Sequence, residues 1–260
     1  MPSVKAHDGV LLHYEVRGDG PLTLLFMHGW SSTGSYFDET LDYLDLAGLR
    51  VVSLDLRGHG ASGKPDHGYT DEQIAVDALT VADAVKADQV VPVGFSMSGR
   101  FAQYVALLAP SRIRGLVLVA GCPASPIPLP EATRRDWVSR VGDPQALAAV
   151  TAMFITRPVD SAVLDRLGRG AAMACETALN ATLGLCMKES FADRLREIRV
   201  PTIVVGGIHD PIFPPEALRD AVAGRLARAR TVFLNSNHEV PIEQPREMAA
   251  ILEAFVAGLG

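Results

Sequence analysis

The chain has 260 residues, 48% of them hydrophobic, and a formal net charge of −6. That is enough apolar material for an α/β domain carrying an insertion, and the acidic balance gives no electrostatic reason for a nucleic-acid partner. No apolar run reaches the ~18 residues that cross a bilayer, and Cys122, Cys175 and Cys186 have no metal-ligand spacing, which predicts reduced thiols and no membrane association.

At the start, residues 1–8 lack a basic end followed by an apolar stretch, so no secretory leader is expected and the chain reads as cytoplasmic. Residues 10–16 and 22–27 read as strands. The short turn Gly18-Asp19-Gly20-Pro21 between them predicts an antiparallel start to the sheet. The loop Phe26-Met27-His28-Gly29-Trp30-Ser31-Ser32 leads to a helical stretch over 36–46. A strand over 50–56 runs into Asp55-Leu56-Arg57-Gly58-His59-Gly60-Ala61-Ser62. Asp55, Arg57 and His59 suit a hydrogen-bonded turn better than a metal site, and no metal or cofactor is expected. Helix 71–87 follows, with Asp71 as its expected N-cap and Ile74, Val76, Leu79, Val81 and Val85 as its apolar side.

Residues 89–95 form an apolar run that meets Ser96 between small residues, and a helical pattern over 98–108 begins at once. This strand, sharp turn and helix place a hydroxyl at the apex of a strained elbow, with Gly94 and Ser98 small where strand and helix nearly touch. A further strand spans 113–120. From about Cys122 to Leu195 no strand is legible. Pro123, Pro126, Pro128 and Pro130 form a stiff exit, and helices follow over 145–153, 161–167 and 171–185, the first announced by Asp143-Pro144. This predicts a helical cap over residues 122–195, set into a core made of 1–121 and 196–260. Strands at 202–206 and 230–234 and helices at 215–226 and 244–259 complete the alternation. Short buried strands alternating with helices make a mostly parallel sheet covered on both faces.

A serine hydroxyl needs a base, and the base needs an orienting carboxylate. The strand at 202–206 opens into Gly207-Ile208-His209-Asp210-Pro211, and the strand at 230–234 opens into Asn235-Ser236-Asn237-His238-Glu239. Loops at the carboxyl ends of parallel strands share one edge of the sheet, so Ser96, Asp210 and His238 can converge. The order serine, acid, histidine fits this arrangement. Glu239 is a rival acid by position, whereas the loop after 113–120, Gly121-Cys122-Pro123-Ala124-Ser125, offers no carboxylate. The Met97 N–H at the start of the helix and the Trp30 N–H are the expected oxyanion donors. Ser31, Met153, Phe154 and Met187 are the expected pocket residues.

Taken together, His28-Gly29-Trp30, the segment from Asp55 to Ser62, Gly94-Phe95-Ser96-Met97-Ser98-Gly99, Gly207-Ile208-His209-Asp210-Pro211 and Asn237-His238 resemble the α/β-hydrolase superfamily, in its branch with a helical lid. The family pattern has glycine where this chain has Ser98, which is small enough for the elbow and adds a hydroxyl beside the site. The resemblance implies an eight-stranded sheet and a serine esterase or lactonase acting on a small to medium, partly apolar small molecule. A C–C bond hydrolase, a perhydrolase and a non-catalytic ligand-binding member are the alternatives on the same scaffold.

Overall fold

The computed structural model describes residues 2–259. Eight strands form one sheet in the order β1-β2-β4-β3-β5-β6-β7-β8. They are β1 (Ser3–Lys5), β2 (Leu11–Gly18), β3 (Leu22–Met27), β4 (Leu49–Leu54), β5 (Gln89–Phe95), β6 (Leu116–Val119), β7 (Thr202–Gly207) and β8 (Ala229–Leu234). From β4 through β3, β5, β6 and β7 to β8 every pairing is parallel, while β1 and β2 are antiparallel additions at one edge. The expected α/β architecture, a mostly parallel eight-stranded sheet flanked by helices, is the one observed.

The alternation of side chains along each strand explains the two-sided core. Leu25, Met27, Val52 and Leu54 point to a layer with Ile74, Val81, Phe101 and Val105, which belong to the helices Asp71–Ala84 and Met97–Leu108. Leu24, Phe26, Val51, Val91 and Val93 point the other way, against Leu252 and Phe255 of the helix Pro245–Ala257.

Several local expectations are corrected. The antiparallel start is observed, but β2 is not hydrogen-bonded to β3, the strand its turn leads into. It pairs with β4 (Tyr14 opposite Leu54), so β4 lies between the two strands. The Gly18–Pro21 turn is folded against the start of β4: Gly20 N donates to Leu49 O at 3.0 Å, and a Cβ at Gly18 (φ +72°) would stand 2.4 Å from the same oxygen. β3, buried along nearly its whole length, goes to the sheet interior, and the half-exposed β2 stays near the edge. β1 has only three residues, too few to show a period. The helix at 71 is capped by Thr70, whose hydroxyl accepts from Gln73 N, and not by Asp71. Asp71 instead pairs with Arg100. The stretch 36–46 holds only a tight turn, Gly34–Phe37, and one helical turn, Asp38–Leu41. The stretch 215–226 is broken into Pro215–Ala217, Leu218–Val222 and Ala223–Arg225.

Between β6 and β7 the described residues contain no strand but four α-helices, Glu131–Val138, Pro144–Ala152, Ser161–Ala171 and Glu176–Lys188, and a short 3-10 helix, Ala192–Glu197. Asp143 accepts from Ala146 N at 3.0 Å with Pro144 in the first turn, as its sequence predicts. Asp160 caps the third helix through Ala162 N. The first was not legible because Pro130 offers no side-chain acceptor and only Val138 of the helix is buried. Among the described residues no helix is long and apolar enough to cross a membrane.

Candidate active site

β5 ends at Phe95, and Ser96 takes up φ +50°, ψ −119° before the helix Met97–Leu108 begins. A non-glycine residue at positive φ is strained and persists only when its surroundings over-determine it. Here three backbone bonds do so: Ser96 N donates to Val119 O at 2.9 Å, and Ser96 O accepts from Gly99 N at 2.9 Å and Cys122 N at 2.8 Å. The close approach falls on Gly94, where an added Cβ would lie 2.2 Å from Ser98 O and 2.7 Å from Ser98 C.

Asp210 follows β7 and His238 follows β8, and the shared sheet edge brings both to Ser96. Ser96 Oγ lies 2.8 Å from His238 Nε2, and His238 Nδ1 lies 2.8 Å from Asp210 Oδ2. With the Nδ1–H donated to the carboxylate, Nε2 is left to accept from the serine hydroxyl. Asp210 Oδ1 accepts from Ile212 N at 2.8 Å and Phe213 N at 3.0 Å, so the carboxylate is oriented from both sides. Asp210 and His238 are buried. Burial alone would raise the Asp210 pKa, yet the imidazole and the two N–H groups hold it below the ordinary carboxylate value. Burial alone would lower that of His238, yet the attraction of Asp210 raises it above the usual imidazole value.

The loop after β3 lies beside the elbow. His28 is fully buried, its Nδ1–H donating to Gly29 O at 2.8 Å and its Nε2 accepting from Leu56 N at 3.1 Å. It braces the loop, and burial keeps its pKa low. Ser98, fully buried on the first turn of the helix, donates its hydroxyl to His28 O. The residue that departs from the family pattern thus ties the elbow to the neighbouring loop. The N–H groups of Trp30 and Met97 have no hydrogen-bond partner among the described residues. Asp55 accepts from Gly34 N at 2.7 Å and Ala61 N at 2.9 Å, and Arg57 forms a buried two-pronged pair with Asp77. These residues form the hydrogen-bonded turn expected of them. Among the described residues no cluster of His, Cys, Asp and Glu could hold a metal ion.

A cavity of about 80 Å³ opens over Ser96 and His238. Trp30, Ser31 and Phe154 line it, together with Trp137, which sequence reasoning missed. Aromatic rings run across it, with centroids 5.8 Å apart for Trp30 and Trp137, 6.1 Å for Trp137 and Phe154, and 6.1 Å for Phe154 and His238. Two of the expected pocket residues lie elsewhere. Met153 is 70% exposed, and Met187 borders a separate surface recess with Arg134 and Lys188. The reason is helical phase. Leu147, Val150, Thr151 and Phe154 recur at three- and four-residue spacing and all face the cavity, which leaves Met153 one position off that face. Met187 is likewise one position beyond the buried face of Ala178, Leu179, Thr182, Leu183 and Cys186. That spacing was the available signal for the lining.

The helical segment is fastened to the site from several directions. Trp30 Nε1 donates to Leu179 O at 3.0 Å, and Ser31 Oγ, committed to Ala171 O at 3.4 Å, is spent on this anchoring. Glu243 joins two regions. Its Oε1 accepts from Asn237 N in the His238 loop, and its Oε2 accepts from Thr156 N, Thr156 Oγ1 and Arg157 N.

A parallel sheet with a hydroxyl, an imidazole and a carboxylate in one hydrogen-bonded chain at its carboxyl edge defines the serine hydrolases of α/β fold. The chain belongs to the alpha/beta hydrolase family, whose sequence model matches residues 24–251. A non-heme haloperoxidase of Rhodococcus erythropolis is 30% identical over 82% of this chain and 84% of its own length. An enol-lactonase of Burkholderia xenovorans LB400 superposes with a TM-score of 0.84 at 25% identity, covering 98% of this chain and all of that one (100%). An esterase of Exiguobacterium antarcticum, at 21% identity, shares the fold with a TM-score of 0.89 over 98% of each chain.

Proposed function

We propose that this chain hydrolyses a small to medium carboxylic ester or lactone with an apolar portion, through an acyl-enzyme on Ser96. His238 takes the proton from the serine hydroxyl as it attacks the carbonyl. The Trp30 and Met97 N–H groups, the latter at a helix N-terminus, hold the developing oxyanion. His238 then protonates the leaving alcohol and activates water to release the acid, while Asp210 orients the imidazole and stabilises its charged form. The helical segment 122–195 serves as a cap whose aromatic residues receive the apolar part of the substrate. The observation that carries this reading is the unbroken chain from Ser96 Oγ to Asp210, with 2.8 Å at each step, opening on an aromatic cavity.

The test is twofold. A fluorophosphonate should form an adduct whose mass maps to Ser96, and p-nitrophenyl butyrate should be hydrolysed by the wild type and not by Ser96→Ala. Folded wild-type protein that forms no adduct and cleaves no ester would favour a ligand-binding role instead.

The haloperoxidase relative favours a second reading, perhydrolysis, in which hydrogen peroxide replaces water at the acyl-enzyme and a peracid leaves. Acetate and peroxide supplied together should then yield peracetate, detected by bromide oxidation, and Ser96→Ala should abolish it.

A further inference from the structure

One carboxyl group in the cavity has no part in the mechanism above. Glu239 follows His238 directly and is only 7% exposed. Its Oε2 accepts from Tyr36 Oη at 2.6 Å. Its Oε1 has no hydrogen-bond partner among the described residues, and Glu239 borders the cavity over Ser96. Burying a carboxyl group is costly unless its oxygens are satisfied, and here one oxygen has no partner within the fold.

Glu239 also borders a side recess of about 40 Å³ that shares Trp30, Ser31, Phe95 and Thr151 with the main cavity. The two spaces differ in chemistry. The main cavity presents Trp137, Phe154, Val150 and Ile212. The recess adds Ser32 and Tyr36 to the polar side chains of Ser31, Thr151 and Glu239. The hydroxyls of Ser31 and Tyr36 are already donating elsewhere. Glu239, whose Oε1 is an acceptor without a donor among the described residues, therefore sits at the junction of an apolar chamber and a polar one.

We propose that Glu239 and this recess form a subsite for a hydroxyl group of the substrate, so that the preferred ester or lactone is a hydroxylated one. The proposal rests on the ester-hydrolysing reading above. An anionic acceptor rewards a substrate hydroxyl, gains nothing from a methylene in its place, and repels a carboxylate. Burial pushes the Glu239 pKa up to about 6, so the group is ionised under the conditions of the assay below.

The test compares matched substrates at pH 8. The hydroxyl is placed on the acyl side (p-nitrophenyl 3-hydroxybutyrate against the butyrate) and on the alcohol side (2-hydroxyethyl butyrate against propyl butyrate). p-Nitrophenyl hydrogen succinate supplies a carboxylate of similar size. In the wild type, kcat/KM should favour the hydroxylated member of at least one pair by tenfold or more, with the succinate poorest. Glu239→Leu should bring that ratio close to one. Glu239→Gln keeps an acceptor oxygen without the charge. It should retain part of the hydroxyl preference and hydrolyse the succinate at least tenfold better relative to the butyrate, a readout that stands if the leucine variant does not fold. Ratios within twofold of one for both pairs in the wild type, or ratios unchanged in Glu239→Leu, would overturn the subsite while leaving ester hydrolysis intact. Absence of turnover on every ester, with no fluorophosphonate adduct, would overturn the underlying reading.

Discussion

Ser98→Ala isolates one bond, the hydroxyl of the elbow helix donated to the carbonyl of His28. Both residues are fully buried, so water cannot replace the donor. Leaving a buried carbonyl without its partner costs about 1–3 kcal/mol. In a chain of this size ~1 kcal/mol moves Tm by roughly 2–4 °C, so a fall of about 2–12 °C is expected by calorimetry. The catalytic effect follows from what the carbonyl belongs to. His28 precedes Gly29 and Trp30, and Trp30 N–H is the proposed second oxyanion donor. Complete loss of one donor costs ~10²–10³ in turnover. A donor that is loosened but still present should cost less, roughly tenfold in kcat with KM little changed. Affinity for a boronic acid that adds to Ser96 should fall in step with kcat, whereas a merely destabilising change would leave the folded fraction fully competent. Ser98→Gly restores the family residue and should show the same catalytic loss. A Tm within 1 °C of wild type together with unchanged kcat and boronate affinity would show that the hydroxyl does no anchoring.

Because His238 must be neutral to act as the proposed base and its pKa is raised by Asp210 against the effect of burial, kcat/KM should rise with pH through a midpoint above ~6.5; a flat profile from pH 5 to 9 contradicts the assignment. Asp210→Asn, which removes the attraction and disturbs the tautomer, should lower kcat by ~10⁴-fold with the fold preserved by circular dichroism. Gly94→Ala drives a methyl into the Ser98 backbone and should cost about 3 kcal/mol or more in urea unfolding, at or beyond the top of the ordinary overpacking range. Asp77→Ala strands the guanidinium of Arg57 beside it, both side chains being almost fully buried, and should cost about 3–5 kcal/mol; a loss under 1 kcal/mol would mean that Asp8, the second partner of Arg57, compensates.

The parallel sheet was legible because its strands are buried on both faces and read as short apolar runs. Two of them, Leu22–Met27 and Gln89–Phe95, have the boundaries expected from sequence alone. Ser96, Asp210 and His238 were legible for the same reason, since each follows a recognisable strand. What escaped prediction depended on non-local contacts. The partner of β2 is chosen by burial of β3 across the sheet, which no turn sequence encodes. Thr70 caps its helix while the expected cap, Asp71, is drawn away by Arg100 from another helix. Met153 and Met187 were selected by residue type, whereas helical phase decides which side chains see the cavity. Glu239 is by position in the sequence a rival of Asp210, and position does not decide between them. The imidazole Nδ1 goes to Asp210, and Glu239 is held by Tyr36, 203 positions earlier in the chain.

Glu243 has a bearing on how such enzymes can be recombined. One oxygen holds the histidine loop and the other receives two consecutive backbone N–H groups and a hydroxyl from residues 156 and 157. A helical segment grafted from a relative has to present matching donors at this seam, or one oxygen of a buried carboxylate is left without its partners. Chimeras should therefore be joined so that the graft carries residues 156–157 and the recipient carries 237–243 as one cognate set. An exchange that splits the set weakens the footing of the His238 loop even when Ser96, Asp210 and His238 are all retained.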